Sequence, residues 1–173
     1  GFSRDYVCYG FIGSDEFKDL CSQYGIQAGQ ISLTDIIDLH PEITRFVNRL
    51  YELVLSRTPD ATGRREWVDA LVSKRNTAAV AALGFLDSNE LKEKNLSDSD
   101  YLDILYRTLL DREPDGKGKS EWLAVVEMGV SRNYLIYNFV ASPEFGDLCA
   151  QYGIDRGTIT LTESRDQNKY ITG

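Results

Sequence analysis

The sequence is poor in the residues that do chemistry. It has one methionine, Met128, one histidine, His40, and three cysteines, Cys8, Cys21 and Cys149, with no Cys-x-x-Cys pair among them. A zinc site cannot be assembled from the usual ligands in that set, and none is expected. His40 follows Asp38 and Leu39 and precedes Pro41, with no serine or cysteine beside it in sequence to form a nucleophile and base. Positive charge is also short: 19 Lys and Arg stand against 27 Asp and Glu, for a net charge of −8. That balance disfavours generic attraction to nucleic acid or anionic lipid. No apolar run reaches the ~20 residues of a membrane-spanning helix. The first residues, Gly1 to Asp5, carry neither the basic nor the apolar region of a signal peptide, and no initiator methionine stands among them. The chain is therefore expected to be a mature or excised piece of something longer.

What is present is repetition. Ser3-Arg4-x-Tyr6-x-x-Tyr9-x-Phe11-x-x-Ser14-x-Glu16-Phe17 returns 128 positions later as Ser131-Arg132-x-Tyr134-x-x-Tyr137-x-Phe139-x-x-Ser142-x-Glu144-Phe145. Aligned without gaps, residues 3–45 and 131–173 are identical at 22 of 43 positions, far beyond chance. A weaker repeat lies inside that period. Leu50-Tyr51, Arg57, Pro59-Asp60, Gly63 and Trp67 recur at an offset of 55 as Leu105-Tyr106, Arg112, Pro114-Asp115, Gly118 and Trp122. At an offset of 54, Phe85, Ser88 and Glu90 are answered by Phe139, Ser142 and Glu144. The organisation predicted is a partial unit with its connector at 1–45, complete units at 46–98 and 99–155, and a connector at 156–173. The opening segment reads as the closing half of a unit.

Apolar spacing sets the secondary structure. Phe46, Val47, Leu50, Tyr51, Val54 and Leu55 lie on one helical face, and Leu102, Leu105, Tyr106, Leu109 and Leu110 repeat it. Pro59 and Pro114 are expected to stop these helices, with Asp60 and Asp115 capping the next. Thr77 and Ser131 cap a third helix, and Ser88 and Ser142 a short fourth. The class predicted is all-α: a helical bundle of two tandem four-helix units plus a partial N-terminal unit. Gln27–Thr34 and Asp155–Thr162 read as connectors. Tyr6, Phe11, Phe17 and Leu20 would lack their usual cover, and are expected to pack on the following units or on a second copy of the chain.

Several residues invite a chemical reading. Asp111, Glu113, Asp115 and Gly116 imitate the opening of a calcium loop, but its twelfth position is Trp122. The sister turn keeps only Asp60 of that set, so a structural turn is the reading: Pro ends a helix, Asp caps the next, and Gly permits close packing. Arg57 is expected to pair with Glu90 and Arg112 with Glu144, the alternative being independent solvated charges. Trp67 and Trp122 fit either a core position or an aromatic platform for a glycan. Tyr6 with Tyr9, and Tyr134 with Tyr137, share helix faces and read as surface candidates or as boundary residues. Cys8, replaced by Ile136 in its copy, reads as an apolar core position, and all three thiols as free. The 27 acids single out no catalytic pair.

Taken together, Phe46-Val47-x-x-Leu50-Tyr51 leading to Arg57-x-Pro59-Asp60-x-x-Gly63-x-x-x-Trp67 and Gly84-Phe85-x-x-Ser88-x-Glu90, with the second copy ending at Phe139-x-x-Ser142-x-Glu144-Phe145, resembles the helical family known as domain of unknown function 4214. The units are more distantly similar to the linker domains of phycobilisomes, which bind proteins. The resemblance implies a bacterial secreted or surface-attached protein built as a repeat array. One departure is Leu91, where the other copies have Phe17 and Phe145. The expectation is a non-catalytic extracellular or cell-surface interaction or spacer module without a cofactor. Its partners would be neighbouring repeats and a protein or cell-wall ligand. The alternative is a carbohydrate-binding module of a surface adhesin or enzyme, and a third class is an enzyme with acids in an inter-unit groove.

Overall fold

The computed structural model describes residues 2–167, and among them every regular element is helical. The order is α1 (Arg4–Gly13), α2 (Asp15–Gln23), α3 (Ile36–Leu39), α4 (Pro41–Leu55), α5 (Ala61–Val72), α6 (Ala78–Leu86), α7 (Asn89–Glu93), α8 (Asp98–Leu109), α9 (Gly116–Glu127), α10 (Arg132–Ala141) and α11 (Pro143–Gln151), then a 3-10 turn at Ser164–Gln167. The first complete unit is α4 to α7 and the second α8 to α11, while α1 and α2 form the partial unit. Residues 168–173, the end of the predicted second connector, lie outside the described residues, as does Asn168, the counterpart of His40.

Local chemistry starts these helices. In all of them except α4, the residue before the first turn is Ser, Thr or Asp, and its side chain accepts a backbone N–H inside that turn. Such caps satisfy donors that no intrahelical carbonyl can reach. The exception, α4, begins with proline, whose missing N–H and fixed φ suit a first position. That start precedes the predicted unit boundary at 46, because the apolar face already includes Ile43, and Thr44 is buried with its hydroxyl donating to Ile37 O at 2.8 Å.

The stops differ from expectation. α4 ends at Ser56 and α8 just before Asp111, both with positive φ, at 57° and 53°. The N–H of Arg57 then reaches back to Tyr51 O, and that of Arg112 to Tyr106 O. A left-handed residue therefore ends each helix, and the prolines come later, where they set up the next cap.

One core runs through both units. α4 lies against α5, α6, α7 and α8, while α8 lies against α9, α10 and α11, and α6 touches α10. Phe46, Val47, Leu50 and Val54 on α4 and Leu102, Leu105 and Leu109 on α8 are fully buried. The units are thus fused along α4–α8 rather than strung as separate beads, as expected where a ~50-residue helical unit buries too little surface alone. The second connector seals the join: Asp155 O and Arg156 O accept the N–H groups of Ala78 and Ala79, at the start of α6 in the first unit.

The partial unit is different. α1 has no buried residue and α2 only Cys21; of the face expected to pack on the following units, Tyr6 and Phe17 are half-buried, while Phe11 and Leu20 stay exposed. Phe11 is 69% exposed and Leu20 49%, whereas their copies Phe139 and Leu148 are each 3% exposed. Cys8 is exposed too, contrary to its reading as a core position, because the helices that bury its copy Ile136 have no equivalent beside α1. The three thiols are free. Burial pushes that of Cys149 up to about 12.

Candidate functional site

The repeated motif residues converge into one clamp, built twice. In the first unit, Tyr51 on α4 meets Phe85 on α6 edge to face at 4.8 Å, and Trp67 on α5 lies 5.2 Å from the same ring. In the second, Tyr106 and Trp122 stand 5.1 and 5.3 Å from Phe139. Both tryptophans are half-buried against the core, not displayed as a platform. Over each tyrosine ring lies a guanidinium, that of Arg57 or of Arg112, each 4.9 Å from the ring centre.

Those arginines also close the unit. Arg57 donates to Glu90 through Nε and Nη2 at 2.6 and 3.0 Å, and Arg112 Nε donates to Glu144 at 2.8 Å. The pairs tie the turn after the first helix to the fourth helix. They are partly exposed, so each is worth ~0–1 kcal/mol and serves geometry more than stability. The Arg57 hydrogen bond holds the Glu90 carboxyl below its ordinary range.

The glycines explain themselves sterically. A Cβ on Gly63 would sit 2.4 Å from the Tyr51 hydroxyl, and one on Gly118 would sit 2.8 Å from that of Tyr106. Asp60 and Asp115 cap those same glycines, each accepting the N–H at 2.8 Å, and this holds both carboxyls below the usual aspartate range. In the turn that imitates a calcium loop, the carboxylates go to separate partners. Asp111 pairs with Arg49 at 2.8 Å, Glu113 with Arg107 at 2.7 Å, and Asp115 makes the cap. Among the described residues no group of three or more His, Cys, Asp or Glu side chains is placed to hold a metal ion.

Two features escape the sequence reading. Asp38 accepts both the N–H and the hydroxyl of Ser3, and Asp166 does the same for Ser131 at 2.8 and 2.5 Å. These buried aspartates latch the connector back onto the start of α1 or α10. The signal was their identity at the 128-residue offset, in a stretch with few other identities. The second feature is Arg49, 15% exposed, which donates to Thr108 O and Arg107 O at the end of α8 and so joins the two units. Its repeat counterpart is Ile104, so no repetition marks it.

A cleft also occurs twice, between the connector and α10 or α1, with volumes of about 400 and 520 Å³. Tyr137, Val140, Gly157 and Ile159 line one, and their copies Tyr9, Ile12, Gly29 and Ile31 the other. Each has one cation, from different positions: Arg156 beside Gly146 in the first, Lys18 with Ala28 at the arginine's place in the second. Tyr137 and Tyr9 are on these rims, whereas Tyr134 is buried, so the pair expected to share a face divides between core and surface. No helix among the described residues is long and apolar enough to cross a membrane.

Fold and clamp together define an all-α repeat module whose unit is closed by an Arg–Tyr–Trp set gripping Phe and Glu. The chain belongs to the family described as domain of unknown function (DUF4214), whose model matches residues 40–95 and again 82–149. No curated protein and no solved structure matches it.

Proposed function

We propose that this chain is a non-catalytic interaction or spacer module of an extracellular or cell-surface protein, working without a cofactor. The observation that carries this is the doubled clamp. Arg57, Asp60, Glu90 and their copies Arg112, Asp115, Glu144 are spent on one another and on backbone caps. The most regularly repeated polar residues therefore build the scaffold and leave no shared reactive group. Secretion and a bacterial surface context come from the family resemblance. The test is a binding screen against isolated bacterial cell wall and a panel of glycans and surface proteins. Silence with glycans and wall, together with capture of a defined surface protein, supports the reading; turnover of any panel member overturns it.

The duplicated cleft favours a second reading, a carbohydrate site. Exposed tyrosine faces stack on sugar rings, and one cation in the lining of each cleft, Arg156 or Lys18, suits an acidic sugar. Titration with tetragalacturonate, with uncharged cellotetraose as control, tests it by the shift of the Tyr9 and Tyr137 ring resonances. Saturable shifts with the acidic sugar, lost in Tyr137→Ala and Arg156→Ala at the second cleft, support it. Unmoved resonances, or equal shifts with both sugars, overturn it.

A further inference from the structure

The bare face of α1 and α2 is half of an interface that this molecule displays complete elsewhere. In the first unit the α6–α7 pair offers Phe85 and Glu90, which are taken by Tyr51, Trp67 and Arg57. In the second the α10–α11 pair offers Phe139 and Glu144, taken by Tyr106, Trp122 and Arg112. The α1–α2 pair offers Phe11 and Glu16 at the matching positions, on one apolar depression, and nothing in the described structure takes them. The chemistry of the missing half is therefore printed twice: a helical hairpin carrying Tyr, then Arg-x-Pro-Asp-x-x-Gly-x-x-x-Trp.

A second observation, on the connector, points the same way. Gly157 has φ +62°, and a Cβ there would meet Thr77 at 2.1–2.5 Å, since Asp155 and Arg156 dock on the start of α6. Its copy Gly29 has nothing within 4 Å of where a Cβ would stand. Gly29 thus has the residue that a close neighbour demands, with no neighbour present. What would crowd it is a helix of the α6 kind, from the unit before the one that supplies the hairpin.

We propose that the α1–α2 face and its connector are a docking surface for a further α4-to-α9 set of the same polypeptide, lying ahead of α1. In the second unit only four residues, Met128 to Ser131, join α9 to α10, so a hairpin ahead of Ser3 in the same register reaches Phe11 and Glu16 without rearrangement. Docking in cis also avoids the loss of translational freedom that a separate chain must bear. The proposal rests on the repeat geometry and not on the ligand reading above.

The experiment lengthens the full chain by placing a copy of residues 41–130 directly ahead of Ser3, and compares it with the 173-residue protein by amide exchange and thermal melting. The expected result is that α1 and α2 exchange fast in the shorter chain and as slowly as α10 and α11 in the longer one. Phe11→Ala and Gly29→Ala should leave the melting temperature of the shorter chain in place and lower that of the longer by several degrees. As a control against loose association, Ala at the added copies of Tyr106, Arg112 and Trp122 should restore fast exchange in α1 and α2. Fast exchange in both chains, or substitutions silent in both, overturns the proposal. So does a 173-residue chain that sediments as a dimer with α1 and α2 already protected, which gives the face to a second copy.

Discussion

The α1–α2 and α10–α11 pairs are two copies of one sequence motif, identical at 12 of 21 positions, in two surroundings. Their caps are the same: Ser3 and Ser131, then Ser14 and Ser142, each accept the N–H three residues on. Their helices cover matching residues, and both are latched by a buried aspartate 35 residues downstream. Their burial is opposite on the first helix of each pair. Tyr134, Leu135, Ile136, Phe139 and Val140 are in the core, while Val7, Cys8 and Phe11 face solvent. Backbone form in these two hairpins is thus written locally, by caps and helical periodicity, whereas burial is conferred by the neighbouring hairpin. Neither alone accounts for the fold.

The sharpest way to break that comparison is one substitution made at both places. Phe139 touches Tyr106 and Trp122 and is 3% exposed, so Phe139→Ala should cost ~3–5 kcal/mol in urea unfolding, the usual range for a buried phenylalanine. Phe11→Ala, at the same motif position, should stay within ~0.5 kcal/mol of the parent, as surface changes do. Equal losses at the two sites would mean that α1 is covered in solution and that the contrast in burial is false.

How far the sequence led can be judged on particular residues. The caps at Asp60, Thr77, Ser88, Asp115, Ser131 and Ser142 were legible, because a cap is a contact between residues three apart, and so was the helical class. The clamp was legible in part: Arg57 with Glu90 and Arg112 with Glu144 followed from recurring in step, though their partial exposure did not. Arg49 was not legible, since its acceptors are carbonyls almost sixty residues away and carbonyls leave no mark in sequence. Nor were the left-handed stops at Ser56 and Asp111, because neither is the glycine that normally signals one. The reading of Cys8 failed for the reason the two hairpins teach: its copy's burial belongs to α10's surroundings, not to the residue.

A middle-sized effect sharpens what the cover itself requires. The Tyr51 hydroxyl lies where a Cβ on Gly63 would go, at 2.4 Å, and the tyrosine ring is wedged against Phe85 and under Arg57. Gly63→Ala should therefore destabilise by ~1–3 kcal/mol through overpacking, despite the gain in helix propensity. Removing the hydroxyl should relieve it, so the same change in a Tyr51→Phe background should cost clearly less. A double-mutant cycle by thermal melting reads the coupling, and additive effects would show that the hydroxyl is not what the glycine accommodates. Gly10 in the bare hairpin, with nothing within 4 Å of its Cβ position, is the matched control, where Ala should be neutral or slightly stabilising.

The smallest effect concerns the acid limb of the stability curve. Glu90 is held below its ordinary range chiefly by the Arg57 hydrogen bond, and Asp60 and Asp115 by the N–H groups of Gly63 and Gly118. A carboxyl depressed in the folded state adds stability that is fully present above its unfolded value and is lost as pH falls through the folded one. The melting temperature should thus be level near neutrality and decline as pH drops below about 5, into the carboxylate range. Glu90→Gln should lower it slightly at pH 7 and flatten that decline, since the variant has no ionisation to lose at this position. The groups are solvent-exposed, so salt screening should shrink the difference, and 0.5 M NaCl should bring variant and parent closer together. Glu16, the same position in the bare hairpin, has no arginine opposite it among the described residues, so Glu16→Gln should leave the pH 7 melting temperature unchanged. If the two variants behave alike, Arg57 does not hold Glu90 in solution, and the clamp is closed by its aromatic rings alone.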